Sequence, residues 1–463
     1  MKKHMILALV VACSVGAFTI SGDTGVREPS ASAAPYYHHW ANVYSLENGH
    51  TGGPYRGDSP ARVRETADGG FAIGLTKWQD SASNGYDEMG IIMLGPSGQP
   101  KWGSSPLATT GDDGECYVQG FAVLSDGRIA VAAHFMNSSD DPYFLIALTM
   151  LGRDGAVQWI KTFRCHDVYD LEPTKDGGML LAGRQLLGQG PWAARLNSTG
   201  RIVWQARLDA TIRSIQQTPD GGFIGVGDSG NESDQPTTDA WIAKFNALGK
   251  ITWQRSLGDP AAADGFYRVL VMGDGYLAAG VTTGLGASVQ DIWVVKFDFQ
   301  GHIRWQRAYG RRETGFSNGL AAIVRLHEGG YLLCGGNGFA LKLDPSGNIL
   351  WGMKSTAWIT DAIQTRQGDF VLLGGESGPA DCFPVGDNMS SYLVAVRFDT
   401  MGTIGTGCCA IGLADAVSRK TVAIPYDTHF STYHSPAAVG SLSPTDPGLV
   451  PVTVYNVCLA DLK

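Results

Sequence analysis

Two stretches of this sequence set aromatic rings beside carboxylates. Residues 76–88 hold Trp78, Asp80, Tyr86 and Asp87, and residues 134–143 hold Phe135, Asp140, Asp141 and Tyr143. An aromatic face stacks on the C–H side of a sugar ring while carboxylates accept its hydroxyl hydrogens. Both stretches are therefore candidate ligand-binding segments, for a glycan or for a protein surface. A third stretch, Asp228-Ser-Gly-Asn231-Glu-Ser-Asp234, clusters oxygen donors of the kind calcium takes, without EF-hand spacing. Asp228, Asn231 and Asp234 are the candidate metal ligands, set against a simple solvated acidic loop. Cys-x-x-Cys, His-x-x-x-His and Cys-x-x-Cys-His do not occur. Nor does any carboxylate pair stand where acid–base chemistry would be expected. The reading therefore assigns no catalytic residue and predicts no cofactor, calcium being the one ion for which the sequence offers a candidate site.

These stretches need something rigid to hold them, and the chain supplies a repeat. Its clearest copy is 214–255, with strand-like Ser-Ile-Gln-Gln-Thr, Gly-Phe-Ile-Gly-Val-Gly, Ala-Trp-Ile-Ala-Lys-Phe-Asn and Lys-Ile-Thr-Trp-Gln-Arg. An Asp-Gly-Gly turn joins the first two and an Asn-x-x-Gly turn the last two, supplying the positive φ angles that tight hairpins need. The second turn recurs at 95–98, 152–155, 197–200, 246–249, 298–301, 344–347 and 399–402. Six copies lead to Trp102, Trp159, Trp204, Trp253, Trp305 and Trp351; the seventh leads to none, and the missing element sits near the other terminus, at Trp40-Ala-Asn-Val-Tyr. A ring closed by an N-terminal strand has this signature, and closure removes the open sheet edge. The expected architecture is all-β: a seven-bladed β-propeller over 37–404, with a small disulfide-bearing β appendage over 405–463. The recurring tryptophan reads as core between blades. The cation before the turn (Arg195, Lys244, Lys296, Lys342, Arg397) reads as pairing between blades. Connections on the opposite rim vary in length, and binding is expected there.

With 463 residues, 44% of them hydrophobic, the chain can bury a large core. Its net charge of −9 argues against nucleic acid as a partner. Residues 1–20, with Lys2 and Lys3 before a short apolar run, read as an export signal rather than a transmembrane span. Val-Val-Ala-Cys13 is similar to a lipobox, making Cys13 a lipidation candidate; ordinary cleavage nearer Ala17 or Ala33 is the alternative. Residues 21–36 read as a flexible tether. The expected location is outside the cytoplasm: at the outer membrane or cell surface on a lipid anchor, or periplasmic or secreted. Eight cysteines in an exported chain suggest disulfides. Cys116 and Cys165 occupy matching positions in successive repeats. Cys458 pairs with Cys408 or Cys409, and the remaining one reaches Cys382. Cys334 sits in an apolar strand and reads as a buried thiol.

At Gln217-Thr-Pro-Asp-Gly-Gly-Phe, Asp239-Ala-Trp-Ile-Ala-Lys-Phe and Gly249-Lys-Ile-Thr-Trp-Gln the chain resembles a bacterial family of exported β-propeller repeat proteins. The resemblance covers about 61–404 and implies fold and export, without catalytic residues. The turn-to-tryptophan element also resembles the docking motif of quinoprotein-like propellers, some of them quinone-dependent dehydrogenases. The vicinal Cys408-Cys409 belongs to the tail rather than to the propeller centre, where such enzymes carry theirs. The reading is a non-catalytic binding or interaction propeller with a protein or glycan partner; the alternative is a quinone-dependent or glycan-directed enzyme on the same fold.

Overall fold

The computed structural model describes residues 62–400, with breaks at 80–85, 109–114, 137–144, 185–189, 230–237, 311–318 and 377–391 and a few shorter ones. It also describes the backbone of Trp40–Leu46 and of five short strands between 411 and 456. All described elements are strands, arranged in seven antiparallel sheets around an axis. Blades 1 to 7 occupy 62–108, 115–163, 167–208, 211–257, 264–310, 320–355 and 358–398. Within each blade, strands a to d run in order from the axis outwards. Trp40–Leu46 supplies the fourth strand of blade 7, antiparallel to Tyr392–Phe398, with Trp40 opposite Arg397 and Tyr44 opposite Leu393. The ring closes as the sequence predicts.

The Asp-Gly-Gly turn shows why those residues recur. In blade 4 the Thr218 hydroxyl and the Gly222 N–H both donate to Asp220 Oδ1. Gly221 sits at φ +80°. A Cβ on Gly222 would stand 2.2 Å from the carbonyl oxygen of Phe245, so strand c lies too close for any side chain. The cation before the c–d turn then reaches back to this acid. Arg195 lies 2.6 Å from Asp176, Lys244 2.9 Å from Asp220, Lys342 2.8 Å from Glu328 and Arg397 2.8 Å from Asp369. Each pair lies inside one blade, which corrects the expected pairing between blades. The cation on strand c and the acid on the a–b turn of its own sheet lie at the same rim. Among the described residues, three of these cations also touch the next blade: Arg195 lies over the Phe223 ring, Lys342 donates to the Thr400 carbonyl and Arg397 to that of Pro96.

Packing between blades follows the repeat. Trp102, Trp159, Trp204 and Trp253 lie against the turn glycines of the next blade, Gly155, Gly200, Gly249 and Gly301, where a Cβ would meet the indole at 3 Å or less. Trp351 donates its indole N–H to the Thr400 carbonyl, 3.2 Å away. Seven apolar clusters fill the seven junctions. The closing one packs Val63, Phe71 and Ile73 against Val371, Leu373 and Ala395. Strands b and c are apolar on both faces because both faces are covered.

Sheet edges are managed at both radii. Along the axis, N–H groups of strand a are taken by side chains of the preceding blade. Gln119 accepts from Val168 at 2.8 Å, Asp170 from Ile215 at 2.8 Å and Asp361 from Val63 at 3.0 Å. At the outside, the described strands of 405–463 pair with outer strands of the blades. Ile411–Leu413 adds to blade 6, Val417–Lys420 to blade 5, Thr432–Tyr433 to blade 3, Val439–Gly440 to blade 2 and Val452–Asn456 to Trp40–Leu46 of blade 7. In chain order these described strands meet the blades in the reverse of the blades' own order. Outer strands offer unpaired N–H and C=O groups, which a short extended segment can pair one blade at a time.

The cysteine reading also changes. Cys116 lies in the core between blades 1 and 2, Cys165 in that between blades 2 and 3, and Cys165 is a thiol. The expected Cys116–Cys165 bridge is not formed. Cys116 stands ten residues before its turn acid and Cys165 eleven, so the two are out of register, and each packs into a different junction. Burial raises the thiol pKa of Cys165 and of Cys334, and both behave as small hydrophobes. Cys13, Cys382, Cys408, Cys409 and Cys458 lie outside the described residues. Among those described, no helix is long and apolar enough to cross a membrane.

Candidate functional site

Strand a of blades 2 to 7 carries an extra residue relative to strand b. The register shifts fall between Val118 and Gly120, Val168 and Asp170, Ile212 and Ser214, Phe266 and Arg268, Leu320 and Ala322, and Ile359 and Asp361. The residues left over are Gln119, Tyr169, Arg213, Tyr267, Ala321 and Thr360. Such a bulge re-aims one side chain out of the ladder, and bulges gather next to binding sites. Here they form a ring near the start of strand a, at the mouth of the axial channel on the rim of the b–c and d–a connections.

Three consecutive blades place Tyr169, Arg213 and Tyr267 in this ring, and the three stack. The Arg213 guanidinium carbon lies 4.9 Å from the Tyr169 ring centre and 5.8 Å from that of Tyr267. Arg213 Nε donates to Asp228 Oδ2 at 3.0 Å; Asp228 ends strand b at the same rim. Burial works against the charge on Arg213, but Asp228 outweighs it and holds the guanidinium protonated. Burial likewise raises both tyrosines. The arginine side chain remains 38% exposed.

Beside this stack lies a second polar knot. Asp167 accepts from His166 Nδ1 at 2.8 Å, Gln119 Nε2 at 3.1 Å and Arg184 at 3.1 Å. Burial opposes ionisation of Asp167, but the His166 and Gln119 hydrogen bonds and the Arg184 charge keep its pKa below the usual range. His166 stands 6.3 Å from the His134 ring, which in turn stacks on Tyr117.

Deeper in the channel, charges from opposite blades converge. Arg64 pairs with Asp361 at 2.7 Å across the closing junction. Glu172, on strand a of blade 3, is raised to about 7 by burial and by its neighbour Asp170, against the pull of Arg64 and Arg62. Arg62 is depressed to about 10 by burial and by Arg268 of blade 5. It stays charged at neutral pH.

The residues singled out from sequence fall differently. Trp78 stands opposite Asp87, and Gln79 opposite Tyr86, where strands b and c of blade 1 approach their connection; the side chains of Trp78, Tyr86 and Asp87 lie outside the described residues. So do Asp80, Asp140, Asp141 and Tyr143, as well as Asn231 and Asp234. Phe135 is buried in the core between blades 1 and 2 and is not a surface ring. Asp228 is engaged by Arg213, and among the described residues no three His, Cys, Asp or Glu side chains gather as a metal site. The stack itself was missed. Its signal is positional: the bulge residue stands seven before the turn acid, as Tyr169 before Asp176, Arg213 before Asp220 and Tyr267 before Asp274.

No family model matches the chain, and no curated protein matches it. Among solved structures it is similar to hydrazine synthase of Kuenenia stuttgartiensis at 9% identity, covering 68% of this chain and 92% of that one, with a TM-score of 0.50. It is also similar to BamB from Moraxella catarrhalis (14%, 73% and 82%, TM-score 0.38). A third is Chaetomium thermophilum Sqt1 bound to the N-terminus of ribosomal protein L10 (12%, 77% and 99%, TM-score 0.42). At such identities the likeness concerns the fold, and the fold is a seven-bladed β-propeller.

Proposed function

We propose that the chain is an exported interaction propeller that binds a protein partner at the channel mouth on its variable rim. The observation that carries this reading is the Tyr169–Arg213–Tyr267 stack. Tyrosine and arginine dominate the energetic centres of protein interfaces, and a pre-stacked arginine loses little freedom on binding. Asp228 takes one edge of the guanidinium. The other is offered to an acidic group of the partner. Export is supported by the basic and apolar composition of 1–20 and by the Val-Val-Ala-Cys13 sequence.

The test is photo-crosslinking in the source cells, with the reactive residue placed at the mouth (position 184) or on the opposite rim (position 248). A single partner crosslinked from 184 and not from 248 is expected. Its affinity should fall at least about tenfold in Arg213→Ala, as for an interface hot spot. Equal crosslinking from both rims, or an affinity indifferent to Arg213, would overturn the reading. Binding on a glycan array that depends on Arg213 would replace the protein partner with a sugar. Fractionation with mass analysis of the mature N-terminus tests export and the anchor at Cys13.

A further inference from the structure

On the turn rim a cavity of about 450 Å³ lies between blades 5 and 6. Comparison with the junction before it shows why. In the c–d turn of blade 5, Phe299 packs edge-on over Tyr276 of strand b, with ring centres 5.5 Å apart. Blade 6 has the same tyrosine, Tyr331, but its turn reads Asp-Pro345-Ser-Gly, and Pro345 cannot reach across. Tyr331 is 3% exposed, and its hydroxyl has no hydrogen-bond partner among the described residues. Burial pushes this phenol up to about 12, so it stays a donor at any physiological pH.

Two further differences put charge around the opening. Thr252 of blade 4 corresponds to Arg304 in blade 5, and Val271 of blade 5 corresponds to Arg325 in blade 6. Both arginines line the cavity. Arg304 pairs with Asp298 at 3.1 Å, whereas Arg325 has no hydrogen bond or ion pair among the described residues. Lys296 and Asp274, paired with each other, also line the cavity, and the half-buried Trp305 gives one wall.

We propose that this cavity binds a small ligand that joins an anionic group, carboxylate or phosphate, to a flat apolar body. Arg304, Arg325 and the Tyr331 hydroxyl take the anion, and the body lies along Trp305 where Phe299 covers the preceding junction. The volume suits a small molecule rather than a peptide chain. The site is on the opposite rim from the channel mouth and stands independently of the partner proposed there.

The experiment titrates the full chain with phenyl phosphate, benzoate and inorganic phosphate, following tryptophan fluorescence and calorimetry. Saturable binding of phenyl phosphate or benzoate is expected, whichever is tighter naming the anion, and inorganic phosphate should bind at least about tenfold more weakly. Arg325→Gln, at an exposed position that folding does not need, should weaken binding by about tenfold, the usual worth of a charge-assisted hydrogen bond. Pro345→Phe rebuilds the cover of the neighbouring turn and should abolish binding without removing any charge. No saturable binding, equal affinity for inorganic phosphate, or affinities unchanged in both variants would each overturn the proposal.

Discussion

The innermost strand of each blade has two ends that obey different rules. At the turn end the same interactions recur: threonine to acid, acid to the strand c cation, glycine beneath a carbonyl. At the mouth end the bulge position holds Gln119, Tyr169, Arg213, Tyr267, Ala321 and Thr360 in six successive blades. Backbone geometry demands one residue type at the first end. At the second the bulge frees the side chain from the ladder, and the chain can vary it without cost to the sheet. What repeats is architecture, and what varies within a repeated frame is where recognition is to be sought. The groove between blades 5 and 6 lies at the turn end, where Pro345, Arg304 and Arg325 stand in place of Phe299, Thr252 and Val271 of the preceding junction.

The comparison is broken most completely by opening the ring. Deleting 37–45 removes strand d of blade 7, uncovers Tyr392–Phe398 and leaves Val452–Asn456 without its partner. It should lower the melting temperature far more than deleting 21–35; equal melting temperatures would show that closure lies elsewhere. Next in size is Gly222→Ala, which sets a methyl group 2.2 Å from the Phe245 oxygen. A clash with backbone cannot be relieved by a rotamer, and a loss of about 3 kcal/mol is expected in urea unfolding. Thr360→Ala at a bulge position removes one long hydroxyl bond, to the Leu373 carbonyl at 3.3 Å, and should cost about 1 kcal/mol or less. Similar losses for the two would dissolve the distinction between the ends.

Much of this was legible because a repeat samples the same physics many times. The turn acid, the two glycines and the tryptophan announce strand boundaries, and the one absent tryptophan places the closing strand. Three things were not legible. The tail carries no repeat of its own, because its strands of two to five residues answer to edges elsewhere in the ring. The partner of the strand c cation depends on which acid shares its rim, which spacing alone leaves open. Arg213 lies inside a strand rather than in a long connection, so a search among loops passes over it. Its bulge becomes visible only when positions are counted back from the turn acid.

A smaller effect sharpens the picture inside the channel. Glu172 is raised to about 7 by burial and by Asp170 on its own strand, with Arg62 and Arg64 of blade 1 and Asp361 of blade 7 facing it. Between about pH 4.3 and 7 the folded chain keeps a proton that the unfolded chain has lost, so stability falls as pH rises through that window. Glu172→Gln should match the parent at acid pH and exceed it at about pH 8. Parallel urea midpoints across this range would show that Glu172 titrates normally.

The smallest effect belongs to the turn end, where repetition lets it be summed. Asp220 is opposed by burial but drawn down to about 2 by hydrogen bonds from Thr218, Lys244 and the Gly222 N–H. Its folded pKa lies below the unfolded value, so its contribution is full above about pH 4 and is lost as pH falls towards 2. The carboxylate is 64% exposed, and solvent screening keeps Asp220→Asn below about 1 kcal/mol at neutral pH. Asp176, Asp274 and Glu328 make the corresponding pairs in other blades, well separated from one another. Distant sites add, so the fourfold variant should lose about four times the single loss at pH 7 and show a flatter acid limb than the parent. A fourfold loss no larger than one single loss would mean that the blades share the strain of each turn instead of bearing it separately.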